Sequence, residues 1–153
     1  MSIREATPYD ADAMAAVHEA CFERPWSAAE IDRMMLEGFG LISEHAAAFL
    51  LGRVSAGEAE ILTVAVDPAF RRQGHGRWLI DAAIEVARDQ GAEMVFLEVA
   101  ADNAAAISVY HAAGFQLVGK RPGYYHRAEG SNADALVMKR TLTSGLGKAG
   151  LSA

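Results

Sequence analysis

Apolar and polar positions divide most clearly over residues 76–90. Leu79, Ile80, Ala83, Ile84, Val86 and Ala87 fall on one side of a 3.6-residue period, and Arg77, Asp81, Glu85 and Arg88 on the other. Gly91 follows as a natural stop. Residues 94–99 alternate instead, which predicts a strand with Met94, Phe96 and Glu98 on one face. Earlier in the chain, residues 3–6 read as a short strand. Residues 9–22 read as a helix with Ala13, Ala16, Val17 and Ala20 on one side. A break follows at Arg24, Pro25 and Trp26. Ser27 and Glu30 have capping-box spacing, so a second helix starts there, runs to about Glu37 and ends at Gly38. Residues 41–43, 47–54 and 58–66 read as strands, with a hairpin turn at Ala56 and Gly57. Residues 103–113 read as a helix stopped by Gly114, and 115–120 with 133–139 as a closing pair of strands. The pattern predicts one α/β domain over residues 1–143. It has a mixed sheet of about six or seven strands flanked by about four helices. Residues 144–153 are rich in Gly, Ala and Ser and read as a flexible tail.

Composition narrows the function classes. At 153 residues, 52% hydrophobic and 22% charged, the chain can bury one core. No run approaches the ~20 apolar residues of a membrane-spanning helix. The N-terminal segment lacks an apolar export core, and Cys21 is the single cysteine; both suit a cytoplasmic protein. A net charge of −6 argues against nucleic-acid binding as the main task.

The candidate chemistry begins at residues 64–77, VAVDPAFRRQGHGR. An apolar strand reaches a turn at Asp67 and Pro68, and RRQGHG then opens the amphipathic helix. Gly74 and Gly76 remove side chains where backbone N–H groups are free, a setting that suits a phosphate or pyrophosphate. Arg71, Arg72 and Arg77 add positive charge. The segment is not a dinucleotide fingerprint, because position 79 is Leu, and no Gly-Lys-Ser/Thr makes it a Walker loop.

Five segments taken together are more specific: VAVDP, RRQGHG, the long helix, LEVAADNAAA and SVYHAAGF. From about Ile3 to Leu142 the chain resembles the GNAT superfamily of acetyl-CoA-dependent N-acetyltransferases. RPWS at 24–27, LEVAADNAAAISVYHAAGF at 97–115, and GYYH with DALVM resemble its branch that acetylates the N-terminal alanine of a small-subunit ribosomal protein. The resemblance implies the GNAT fold, acetyl-CoA as cosubstrate, no metal, and a protein N-terminus as partner. Residue by residue, it implies that Val64, Ala65 and Val66 present backbone groups to the acetyl-pantetheine arm. Arg72, Gln73, Gly74, His75, Gly76 and Arg77 match the turn around the pyrophosphate. Asn103 matches a cofactor contact at the next helix start.

Direct transfer needs a neutral amine, a polarised thioester carbonyl and a proton for the leaving thiolate. The resemblance implies Glu98 as proton acceptor and Tyr110 as proton donor. On the residues alone, Glu98 reads equally as a solvated strand end and Tyr110 as a core tyrosine. Asn103 and Tyr110 are seven apart and share nearly one helix face, so a cofactor at Asn103 would also meet Tyr110. Moving a proton from an α-amine of pKa ~7.8 to an ordinary glutamate of ~4.3 is uphill by roughly 5 kcal/mol. Desolvation of the carboxyl, a water relay, or transfer as the amine reacts must close that gap. An amide of the 64–66 strand is a candidate oxyanion donor.

The resemblance also implies that Pro25 and Trp26, with a loop carrying Tyr124 and Tyr125, border the acceptor groove. Local packing of a turn is the equal alternative for Trp26. Arg24, His126 and Ala133 depart from the residues common in relatives, and all three flank that groove. At pH 7 roughly a tenth of an α-amine is neutral, against well under 0.1% of a lysine. An α-amine acceptor therefore fits a single carboxylate best. The alternatives are a GNAT enzyme for a small amine, antibiotic or lysine, and a non-catalytic acyl-CoA-binding module. Cys21 reads as a structural or incidental cysteine rather than an acyl-carrying nucleophile, and Trp78 as packing. His18, His45, His75, His111 and His126 lack metal-ligand spacing and read as surface or loop residues, His75 as a main-chain contact.

Overall fold

The computed structural model describes residues 2–142, so the tail expected at 144–153 lies outside the described residues. The strands are β1 (Ile3–Glu5), β2 (Phe39–Ser43), β3 (Ala48–Ser55), β4 (Glu58–Val66), β5 (Met94–Ala100), β6 (Gln116–His126) and β7 (Asn132–Thr141). The helices are α1 (Ala11–Cys21), α2 (Ala28–Glu37), α3 (His75–Asp89) and α4 (Ala104–Ala112). The seven strands form one sheet in the order β1-β2-β3-β4-β5-β7-β6. Every neighbouring pair is antiparallel except β4 and β5. Parallel neighbours need a long crossover, and α3 supplies it. The mixed sheet with four helices matches the expected fold.

Local chemistry accounts for the edges of these elements. Ala56 and Gly57 both have positive φ, 52° and 79°, as a two-residue hairpin turn matched to strand twist requires. Ser27 Oγ accepts the Glu30 N–H at 3.2 Å and Glu30 Oε1 accepts the Ser27 N–H at 3.0 Å, closing the capping box expected at the start of α2. The first helix starts later than its pattern predicts, because Pro8–Asp10 forms a separate 3₁₀ turn. Asp10 accepts from the Thr7 N–H at 2.9 Å and binds both terminal nitrogens of Arg4 at 2.8 and 2.9 Å. The Arg4 guanidinium holds the Asp10 carboxyl down at about 2. A depressed carboxyl stabilises the fold fully above its ordinary 3.8, and the contribution disappears as pH falls towards about 2. Arg4 is exposed, so the effect is modest. We expect Asp10→Asn to cost about 1 kcal/mol at pH 7 and almost nothing at pH 2, read from urea midpoints. An equal deficit at both pH values would contradict this.

The sheet has a core on each face. On one, Leu79, Ile80, Ala83, Ile84 and Ala87 of α3 pack on Leu50, Ile61, Val95 and Leu97. Each buried Leu or Ile there contributes roughly 1.5–3 kcal/mol. On the other, Met14 and Val17 of α1 and Ile31 of α2 pack on Ile42, Phe49, Leu51 and Ala65. That second layer covers β2, β3 and the C-terminal end of β4 but takes in no residue of β5, β6 or β7, leaving the same face of those strands bare.

Two irregularities position the site. The β4–β5 ladder runs from Glu58 opposite Met94 to Ile61 opposite Leu97 and ends there. At the same level the β3–β4 register shifts, with Leu51 opposite Thr63 and Gly52 opposite Ile61, so Leu62 is an extra, bulged residue. A bulge bends its strand and changes its direction. Beyond it, residues 63–66 pair with β3 but not with β5. The two strands part, and β4 keeps one free edge of backbone donors and acceptors.

Candidate active site

The loop after β4 is built to leave amides open. Asp67 Oδ1 accepts the Ala69 N–H at 2.9 Å and starts a 3₁₀ turn, Pro68–Phe70. Arg72 and Gly74 then take positive φ, 64° and 89°. Gly74 is the N-cap of α3, and no side chain caps that end. The first-turn N–H groups of α3 therefore have no partner inside the helix. A Cβ on Gly76 would lie 3.9 Å from Val66 Cγ2, so the helix start sits directly against the free end of β4. The two expected cofactor segments, Val64 to Val66 and Arg72 to Arg77, are thus neighbours.

The arginines divide their work. Arg77 pairs with Asp81 at 3.1 Å. Arg71 turns back: its Nε donates to the Val66 carbonyl at 3.2 Å and a terminal nitrogen lies 3.5 Å from Cys21 Sγ. Cys21 itself donates to the same carbonyl at 3.2 Å. Of the two expected readings of Cys21, these contacts favour the structural one: it braces the end of β4. Arg72 has no ion-pair partner among the described residues and stays exposed. His75 is buried, edge-on to Phe70, and its Nδ1 has no hydrogen-bond partner, which corrects the surface reading. Trp78, read as packing, is 43% exposed.

Glu98 is the first residue of β5 past the last β4 pair, at the apex where the strands part. It shares its face with Phe96, as alternation predicts, and is 25% exposed. Arg121 Nε stands 3.2 Å from Glu98 Oε2, an ion pair whose geometry falls short of a hydrogen bond. The bare face around it forms a cavity of about 710 Å3, lined by Arg53, Glu60, Phe96, Glu98, Arg121 and Val137 among others. An Arg53–Glu60 ion pair at 2.7 Å forms the far wall. The lining stops short of Val64, so Glu98 stands between the cavity and the free edge of β4.

Tyr110 packs edge-on to Phe115 and against the α3 core. Its ring keeps some exposure, but its hydroxyl is desolvated and lies near Tyr125, which together push it up to about 12. Tyr125 is itself pushed up, by burial first and then by the Glu98 charge. Glu98, Tyr125 and Tyr110 therefore form a series of electrostatic neighbours. Asn103 is the N-cap of α4, not its first residue, and its Oδ1 accepts the Ala106 N–H at 3.2 Å.

The expected acceptor residues lie on two segments, the one between α1 and α2 and the end of β6, that a hydrogen bond joins at Glu23 and Ala128. Trp26 stacks on His18 with centroids 4.8 Å apart, and its N–H donates to His18 Nδ1 at 3.1 Å. Pro25 is exposed beside it. Tyr124 and Tyr125 lie in β6, not in a loop. Arg121 covers the Tyr124 ring at 5.3 Å and Arg127 the Tyr125 ring at 5.5 Å. The turn after β6 is tied down twice. Arg127 pairs with Asp102 at 2.6 Å, and the Ala128 N–H donates to Glu23 Oε2 at 3.1 Å. Sequence reasoning missed Arg121, Glu23, Arg127 and the buried His18. Their partners lie up to 105 positions away, and no local pattern marks them.

Residues 5–115 match the family model described as Acetyltransferase (GNAT) family. The chain belongs to the GNAT acetyltransferase family. It is 40% identical over 95 residues to the [Ribosomal protein bS18]-alanine N-acetyltransferase of Salmonella typhimurium, covering 62% of this chain and 64% of that protein. It is 34% identical over 151 residues to the N-alpha-acetyltransferase RimI of Mycobacterium tuberculosis, covering 92% of each. The crystal structure of the ribosomal-protein-S18-alanine N-acetyltransferase from Escherichia coli superposes with a TM-score of 0.82 at 32% identity, covering 92% of each chain. The matched stretch spans 39% of a Mycobacterium leprae relative and 64% of the Salmonella protein, less than two thirds of either. No helix among the described residues is long and apolar enough to cross a membrane.

Proposed function

We propose that this GNAT protein transfers acetyl from acetyl-CoA to the N-terminal α-amine of a protein, with an alanine-started ribosomal protein as the acceptor class and the cytoplasm as its setting. The observation that carries the reading is the position of Glu98. It is the carboxylate at the apex of the strand split, between an open cavity and a free β-edge that leads to an uncapped helix start.

The residues present fit acetyl-CoA. An uncapped helix N-terminus, positive φ at Arg72 and Gly74, and the exposed Arg72 suit a pyrophosphate. The edge of Val64, Ala65 and Val66 that β5 leaves unpaired, apart from the Val66 carbonyl held by Arg71 and Cys21, offers main-chain hydrogen bonds to an extended amide-bearing arm, and one such N–H can stabilise a developing oxyanion. Gln73, His75, Gly76, Arg77 and Asn103 complete the proposed cofactor set. Acetyl-CoA, when bound, supplies the activated acetyl group.

Glu98 takes the proton of the acceptor amine, either directly or through water admitted by the cavity. Arg121 beside it holds the carboxylate in place. Tyr110, pushed up to about 12, keeps its proton throughout the neutral range. It serves as a hydrogen-bond donor to the departing sulfur rather than a strongly driven acid. Pro25, Trp26, Tyr124 and Tyr125 border the acceptor's path. The paired loop at Glu23 and Ala128 closes one side of it.

A peptide panel differing in the first three residues tests the reading, with acetylation read by mass. We expect alanine- and serine-started peptides to be modified first. Modification of small amines or antibiotics with every peptide left untouched would overturn it.

A further inference from the structure

His18 is a buried, polar, titratable group that the reaction outlined above does not use. It is 3% exposed, near the end of α1. Its ring lies between Phe22 and Trp26, with centroids 4.3 and 4.8 Å away and interplanar angles of 25° and 15°. Phe49 of β3 stands 6.1 Å off. Both ring nitrogens have partners. Nδ1 lies 3.1 Å from the Trp26 backbone nitrogen, and Nε2 lies 3.5 Å from Thr63 Oγ1.

These contacts decide the tautomer. A backbone N–H can only donate, so Nδ1 must accept and carries no proton. The neutral ring then bears its proton on Nε2, directed at the Thr63 hydroxyl. Protonating Nδ1 would set two donors against each other. Thr63 is the first residue of β4 beyond the bulge, on the half that has left β5. His18 therefore joins three parts: α1, the segment between α1 and α2, and the free half of β4.

We propose that His18 is a positioning residue for the acceptor end of the site. As a neutral ring protonated on Nε2, it fixes the Trp26 backbone and so sets the α1–α2 segment against the catalytic strand. This rests on the reading that Pro25 and Trp26 border the acceptor. The same segment carries Glu23, whose carboxylate holds the β6–β7 turn through Ala128, so one residue sets the spacing of both walls. Burial lowers the ring's pKa, which favours the neutral form. Glu30 on α2 is the charged group that faces it, and it opposes that shift without reversing it. Phe22, Trp26, Phe49 and Thr63, from the other surrounding elements, carry no charge.

Two variants separate positioning from packing. His18→Phe keeps an aromatic ring in the stack but leaves the Trp26 N–H without an acceptor. His18→Asn restores a carbonyl oxygen close to the Nδ1 position while removing the ring. With an alanine-started peptide, His18→Phe should raise the peptide KM roughly tenfold, the scale of one lost buried hydrogen bond. The acetyl-CoA KM should move less than about twofold, and His18→Asn should return the peptide KM to within about threefold of wild type. An unchanged peptide KM in His18→Phe, equal defects in both variants, or an equal rise in the acetyl-CoA KM would each overturn the proposal.

If the variants do not fold, ¹⁵N spectra of histidine-labelled wild-type protein decide it. The expected result is an unprotonated Nδ1 and a protonated Nε2 at pH 7, with a midpoint below 6.5. A proton on Nδ1, or a midpoint at or above that value, would overturn it. This readout needs no turnover. Wild-type protein that acetylates no peptide would refute the acceptor reading instead, and the spectrum would still judge His18.

Discussion

Glu98→Gln should lower kcat by roughly 10²–10³-fold, within the usual range for a lost general base. Gln has the shape of Glu but cannot take a proton from an ammonium or a relayed water. The site is partly open, so the variant should fold. Acetyl-CoA affinity should change less than about twofold, because that ligand's proposed contacts lie at the β4 edge and the loop, away from the carboxylate. The expected signature is thus a fall in kcat with intact cofactor binding, measured by steady-state kinetics and calorimetry. Turnover within about threefold of wild type would remove Glu98 from the chemistry. Tyr110→Phe should show the same signature with a smaller loss, because a phenol held at about 12 contributes a hydrogen bond rather than a driven proton transfer.

Gly76→Asp should produce the opposite signature. A Cβ there meets Val66 at 3.9 Å, ordinary contact distance, so the substitution does not break the fold through crowding. The carboxylate, however, would project between the start of α3 and the end of β4. It would place negative charge among the amides proposed for the pyrophosphate. We expect acetyl-CoA affinity to fall at least about tenfold, or ~1.4 kcal/mol. Gly76→Ala should bind nearly as wild type, which separates charge from bulk. Unchanged affinity in Gly76→Asp would contradict the phosphate-loop assignment. Gly74 offers a less clean test, since its φ of 89° strains any side chain whatever the ligand.

Features set by short-range chemistry were legible from the residues. The RRQGHG turn, the amphipathic α3, the Ser27–Glu30 box and the Ala56–Gly57 hairpin each depend on neighbours within a few positions. Alternation also placed Glu98 on a face with Phe96. It could not show that this face is bare, because that depends on α1 and α2 covering β2 to β4 and stopping there. The tyrosine pair lies in a strand where a loop is expected, for a physical reason. Gly119, Pro122 and Gly123 look like turn residues, but β6 absorbs them in two register shifts against β7. Gly123, at φ 61°, donates its N–H to Asp134 at 2.8 Å. The burial of His18 and the brace that Cys21 makes depend on partners, Thr63 and Val66, that lie 45 positions away, so no local pattern shows either. The resemblance supplied acetyl-CoA, which a phosphate-binding turn alone could not name.

The amine proposed to attack the acetyl group is a chain's N-terminus. One peptide decides it: an alanine start, an internal lysine, acetyl-CoA and the wild-type protein, with the product fragmented by mass spectrometry. A single acetyl group is expected, on the fragments that contain the N-terminal alanine. Acetyl on the lysine, with the α-amine left free, would contradict it.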